Sequence, residues 1–200
     1  MSTPRSVDPF ERMDPTDDAR FYTVERKVTH IEPGAIGALR DLYRRELPPG
    51  AEVLDLMSSW RSHLPDGLGP VTGLGMNAAE MTDNPQLDTH VVHDLNREPR
   101  LPFDDARFDA AVCAVSVQYL TRPIDVFTEV RRVLRPRGPF VVSFSNRCFP
   151  TKAVAIWLSS ASADHVALVR AYFENAGFAT VTDVHPPSVD DPLWVVTGRT

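Results

Sequence analysis

Short apolar runs recur along this chain, each too short for a helix and bounded by turn residues, and most are separated by stretches with helical periodicity. Such a run reads as a strand buried on both faces. The runs fall at 51–56, 71–76, 89–94, 108–115, 139–144, near 180–185 and 193–198. Between them, residues 33–46 carry Ile36, Leu39 and Tyr43 on one face, with Pro33 suited to the first turn. Residues 123–135 align Ile124, Phe127, Val130 and Leu134, with Arg137-Gly138 to end that helix. Residues 164–176 align Val166, Val169, Phe173 and Ala176 ahead of a capping Gly177. Shorter helical pieces are predicted at 58–63, 77–81 and 153–158, with Asn77 and Glu80 spaced as a capping box. Alternation of this kind specifies a parallel sheet with helices on both faces. The last two strands have too short a link for a parallel crossover, so they must run antiparallel. The predicted architecture is α/β: a doubly wound, mostly parallel, seven-stranded Rossmann-like sheet with an antiparallel last strand.

A chain of 200 residues suits one domain, assigned here to 33–200, preceded by an N-terminal extension or lid over 1–32. The first twenty residues, with Pro4, Pro9 and Pro15 among charges, read as loosely packed or mobile. Phe21-Tyr22 and Val28 to Ile31 are too apolar for a free tail, so this part should fold over the domain or against a helix. A net charge of −6 argues against nucleic acid or an anionic membrane as partner. The basic stretch 131–137 reads as a solvated helix end. No apolar run is long enough to span a bilayer and Met1 to Arg5 lack a signal core, so the expected location is cytoplasmic. Cys113 and Cys148 make neither a disulfide framework nor a zinc site, Cys113 reading as core, and no histidine–carboxylate group has metal spacing.

The stretch Ala51 to Trp60 holds the chemistry. An apolar strand ends at Asp55 and passes into Met57-Ser58-Ser59. In an open α/β sheet the carboxyl end of such a strand is where a ligand lies. There is no phosphate-cradling Gly-x-x-x-x-Gly-Lys loop, and no glycine-rich first turn of the nicotinamide type.

Three segments carry a resemblance: Val53-Leu54-Asp55-Leu56, then Leu101 to Ala110 with its Leu-Pro-Phe and Phe-Asp pairs, then Val130 to Phe140 with Val-Leu-Arg-Pro. Across roughly 33–200 the chain resembles the class I S-adenosylmethionine-dependent methyltransferases, and within them the small-molecule group known as methyltransferase type 11. The resemblance implies S-adenosyl-L-methionine as cofactor and a small-molecule methyl acceptor. It implies Asp55 for the methionyl ammonium, Asp94 for the adenine amino group with the Leu95 backbone N–H reading the ring, Met76 over one adenine face, and Val115 and Ser116 along the middle of the cofactor. Two departures accompany it. Met57, Ser59 and Arg61 stand where the family has glycines, leaving Ser58 and Ser59 as hydroxyl donors. Gly75 stands where the family has a ribose-binding acid, leaving Asn77 to reach the ribose.

Methyl transfer from a sulfonium is an in-line displacement that relies mainly on proximity and alignment, with a base needed only for some acceptors. His63, Tyr119 and Asn146 are the candidates facing the acceptor, with His30 in the lid, and Gln118 and Arg147 adjoining them. His93 should point away from the site, and His165 and His185 read as surface residues. Trp60, Phe149, Pro150 and Trp157 are candidates for pocket walls or core. The alternative is a non-catalytic relative that binds another ligand or a protein through the same cleft.

Overall fold

A computed structural model describes residues 8–187 and 191–200; the first seven residues of the predicted loose segment and turn residues 188–190 lie outside them. The strands are β1 (Val53–Leu56), β2 (Val71–Gly75), β3 (Thr89–Val92), β4 (Ala110–Ala114), β5 (Pro139–Phe144), β6 (Thr180–Val184) and β7 (Trp194–Arg199). They form one seven-stranded sheet in the order β3-β2-β1-β4-β5-β7-β6. All neighbours pair in parallel except β7, which is antiparallel to β5 and β6. Strand order reverses between β1 and β4, which opens a crevice at their carboxyl ends.

The burial of each strand follows its place in the sheet. β1, β2 and β5 are buried throughout, whereas the edge strands β3 and β6 are mostly exposed. Alternation along β1 sends Leu54 and Leu56 to one face and Val53 to the other. The face of Val53, which Asp55 shares, packs against α2 (Pro33–Glu46) through Leu39, Leu42 and Tyr43. The opposite face packs against α4 (Pro123–Val133) and α6 (Ser162–Asn175). There Phe127, Phe140 and Phe173 meet edge to face and are fully buried, each worth roughly 1.5–3 kcal/mol.

The remaining helices are short: α1 (Asp18–Phe21), α3 (Ala78–Thr82) and α5 (Ala155–Ser159). The helix expected over 58–63 does not form. Ser58 and Ser62 turn inward to a buried partner, and the Ser58 N–H donates to Leu74 O, so the segment spends its polar groups on the sheet edge. At the end of α4 the left-handed residue is Arg137 (φ 67°), not Gly138. Two arginines of the basic stretch are paired with acids: Arg132 with Glu129 and Asp105, and Arg135 with Asp109. His165 is buried, stacked on Trp157 at 3.9 Å, so the surface position read from sequence is wrong for it.

The described part of the N-terminal extension is not loose. Lys152, fully buried, pairs with Asp14 and Asp18 at 3.1 Å each and donates to Thr16 O at 2.9 Å. Arg12 grips Asp18 with one nitrogen on both carboxylate oxygens, at 2.9 and 2.8 Å. A second set of bonds ties the chain beyond α1: Asn77 Nδ2 donates to Tyr22 O, Trp60 Nε1 to Val28 O, and the Arg26 N–H to Glu80. Residues 18–30 thus form a strap anchored on both sides of the crevice.

Candidate active site

The cleft at the carboxyl ends of β1, β2, β3 and β4 is narrow. The space in which the centre of a water molecule fits is about 110 Å³, inside about 1120 Å³ of empty space that includes open solvent. Every residue assigned to the cofactor lines it, as do His63, Tyr119, His30, Trp60 and Phe149; Asn146 lies exposed outside it, and Gln118, Arg147, Pro150 and Trp157 do not line it either. Arg147, beside Asn146, is taken up by ion pairs with Glu32 and Asp191.

Asp55 sits at the floor, 2 % exposed. Its Oδ2 accepts from Ser58 Oγ at 2.5 Å and Ser62 Oγ at 2.6 Å. Burial outweighs these two bonds and pushes its carboxyl up to about 6. Of the three positions where glycines were expected, only one takes glycine's conformation: Met57 adopts φ 58°, while Ser59 and Arg61 do not enter the left-handed region. Arg61 lies over the Trp60 ring at 4.1 Å and donates to Asp83 O, so its charge is directed across the rim. Of the non-glycine residues with positive φ among the described residues, His30, Met57, His63 and Val115 all line this cleft. For β-branched Val115 (φ 47°) the conformation is a true outlier. Backbone strain of this kind gathers where function requires it.

Gly75 has a packing reason. A Cβ there would lie 2.2 Å from Ser58 O, because the first loop folds down onto the end of β2. Gly75→Ala is therefore expected to displace the loop and cost about 1–3 kcal/mol in urea unfolding. Gly37→Ala is the control, since a Cβ at that helical position meets nothing within 4 Å, and it should be neutral or stabilising.

Asn77 caps α3, accepting from the Glu80 N–H at 3.1 Å, and spends its amide nitrogen on Tyr22 O at 2.9 Å. Both ends are committed, so the free amide expected for a ribose is not present. The Glu80 side chain does not close the capping box either. It is 7 % exposed, lines the cleft, and accepts from the Arg26 N–H at 2.5 Å and Ser59 Oγ at 2.6 Å. Across the cleft, Asp94 Oδ1 accepts from the N–H groups of Asn96 and Arg97, which fixes the turn after β3. Asn96 bridges Asp18 and Tyr119 O, joining strap to wall. Leu95 is buried, and Ser116 Oγ donates to Ala114 O.

Burial holds His63 down to about 4, against a smaller opposing effect of the Thr29 backbone, and it lowers His30 as well. Both rings are therefore neutral at pH 7, and burial makes them weak bases. Burial pushes the Tyr119 hydroxyl up to about 12; it accepts from the Phe149 N–H at 2.8 Å, and its ring stacks on Phe149. Tyr119 is thus a wall and a neutral hydroxyl, with no basic form near pH 7. His93 lines the cleft, contrary to the strand-alternation reading, with Nε2 at 2.7 Å from Glu98 O. Asp18, Arg26 and Asn96 are cleft residues with no motif to announce them, and Tyr22 and Glu80 line it although the sequence placed them in a lid and a helix cap. Among the described residues no group of His, Cys, Asp or Glu is placed to hold a metal, and no helix is long and apolar enough to cross a membrane.

Sheet order and cleft define a class I methyltransferase fold. Residues 67–142, from β2 to β5, match the family model described as a methyltransferase domain. The match leaves out β1 and its altered first loop. Among solved structures the chain is similar to an S-adenosylmethionine-dependent methyltransferase from Aquifex aeolicus (17 % identity, TM-score 0.58, covering 84 % of this chain and 98 % of that one). It is similar to another from Mesorhizobium loti (17 % identity, TM-score 0.56, 82 % and 98 %). It is also similar to the [4+2]-cyclase SpnF (16 % identity, TM-score 0.57, 81 % and 80 %). At these identities the likeness shows the fold alone. No curated protein matches the sequence significantly.

Proposed function

We propose that this protein transfers a methyl group from S-adenosyl-L-methionine to a small molecule. The observation that carries the reading is Asp55: a buried carboxylate facing the cleft at the reversal of strand order, beside a strained loop. The chemistry of this acid fits a cationic amino group, because an ammonium repays the cost of ionising it. Asp55 would hold the methionyl end, Asp94 and Leu95 the adenine end, with Met76, Val115 and Ser116 between them. When bound, the cofactor supplies an electrophilic methyl group on a sulfonium. The protein's own work is to orient and to exclude water: Tyr119 and Phe149 wall the acceptor side, and His63 and His30, held neutral by burial, line it without adding charge.

Thermal unfolding with S-adenosylhomocysteine tests this reading. A ligand at about a hundred times its dissociation constant adds roughly 2.7 kcal/mol, which for a chain of this size raises the midpoint by about 5–10 °C. No shift at saturation would sink it. That result would favour the second reading, a domain using the cleft for another ligand or partner. Under the first reading the strap must open for the cofactor to enter.

A further inference from the structure

We infer that Glu80 binds the vicinal diol of the ligand in this cleft, and that the same carboxylate latches the N-terminal strap when the ligand is absent. The inference rests on the reading of the cleft as a nucleoside site. It starts from how Glu80 is partnered. Each of its oxygens holds one neutral donor, Oε1 the Arg26 N–H at 2.5 Å and Oε2 the Ser59 hydroxyl at 2.6 Å. Both are uncharged groups, a backbone N–H and a hydroxyl, and no Lys or Arg side chain is ion-paired with it among the described residues, although it is 7 % exposed. A carboxylate with two neutral donors, one per oxygen, matches a cis-diol, whose two hydroxyls offer the same pair of donors from one molecule.

The donors now in place come from the two segments that close the cleft. Arg26 belongs to the strap and Ser59 to the first loop, and both line the cleft with Glu80. Neighbouring groups are committed elsewhere: Asn77 caps α3 and holds Tyr22, and Gly75 has no side chain and no room for one. Glu80 is therefore the acid at this end of the cleft able to exchange partners. When a diol takes Oε1, the Arg26 N–H loses its acceptor and the strap loses one anchor at the moment the ligand needs the space. Binding and strap release are then one equilibrium, linked through a single carboxylate.

The test measures calorimetric affinity for S-adenosylhomocysteine, adenosine and 2′-deoxyadenosine, together with hydrogen exchange at the Arg26 amide. Wild type should prefer adenosine to its 2′-deoxy analogue, and S-adenosylhomocysteine should speed exchange at Arg26. Glu80→Gln should weaken S-adenosylhomocysteine about tenfold or more and erase the preference for the diol. Ser59→Ala, which removes a competitor for Oε2 and leaves the carboxylate in place, should tighten binding; it keeps the proposal testable if Glu80→Gln fails to fold. If S-adenosylhomocysteine binds wild type but the diol preference survives Glu80→Gln, or if Ser59→Ala binds no better, this inference fails and the methyltransferase reading stands. If wild type binds none of the three nucleosides, the methyltransferase reading fails first.

Discussion

Lys152→Met is expected to lower the thermal midpoint by roughly 6–12 °C and to free the strap. The ammonium of Lys152 is fully buried and surrounded by Asp14, Asp18 and two backbone carbonyls. Methionine fills the space but removes the charge, so Asp18, 5 % exposed, keeps Arg12 as its remaining cation, with the Asn96 amide beside it. Breaking a buried pair by deleting one partner costs about 3–5 kcal/mol. The lower end applies here because Arg12 remains and Asp14 is partly exposed. For a chain of this length each kcal/mol moves the midpoint by about 2–4 °C, read by circular dichroism. Limited proteolysis should then cut within residues 12–30 faster than in wild type, while α2 and the sheet stay protected. Unchanged proteolysis would mean that the second set of bonds, at Tyr22, Arg26 and Val28, holds the strap alone.

Acid should act on the same anchor. Hydrogen bonds from Thr16, with Lys152 adding to them, hold Asp14 down to about 2, and Arg12, Asn96 and Lys152 hold Asp18 below its ordinary value against the effect of burial. A carboxyl whose pKa is depressed by folding stabilises the fold above its unfolded value, and that contribution fades as pH falls toward the folded value. The strap should therefore be secure above pH 4 and loosen between about 4 and 2.

The sheet was legible because parallel strands covered on both faces must be apolar throughout, and 53–56, 110–114 and 139–144 have no other good use. Long helices were legible from their period, and Pro33–Glu46 has the bounds read from sequence. What escaped depends on partners distant in the chain. Residues 8–22 carry prolines and charges like a loose tail, but the cation that orders them lies up to 138 positions away. Ser58 to His63 lacks any strong helix breaker, yet Asp55 and Leu74 claim its polar groups. Glu80 looked like half of a capping box because local spacing cannot show an acceptor needed by Arg26, 54 residues earlier. Gly75 looked like a missing acid, and its cause is a close approach of two backbones. The residues lining the cleft were largely legible for a simpler reason: they follow the carboxyl ends of strands, where topology alone brings them together.

Asp55→Asn should separate binding from stability. The folded carboxyl keeps its proton up to about pH 6, whereas the unfolded chain releases it near 3.8. Between those values the folded state holds more protons, so stability falls as pH rises through the window and stays level above it. At pH 7 the ionised group costs the fold about 3 kcal/mol, taking 1.36 kcal/mol per unit. Asparagine removes that cost, and the Ser58 and Ser62 hydroxyls can turn to suit the amide, so the variant's midpoint should hold or rise. Its affinity for S-adenosylhomocysteine should fall about a hundredfold, since a hydrogen bond to a charged group is worth roughly 1.5–3 kcal/mol. In wild type the same carboxyl makes affinity depend on pH. An ammonium beside Asp55 lowers its pKa, so binding at pH 5 must first expel a proton and should be about tenfold weaker than at pH 7.5, with none of that difference left in Asp55→Asn. Calorimetry at the two pH values reads both the affinity and the proton released. Equal affinities in wild type at pH 5 and 7.5 would remove Asp55 from contact with the ammonium, and with it the orientation of the cofactor along the cleft.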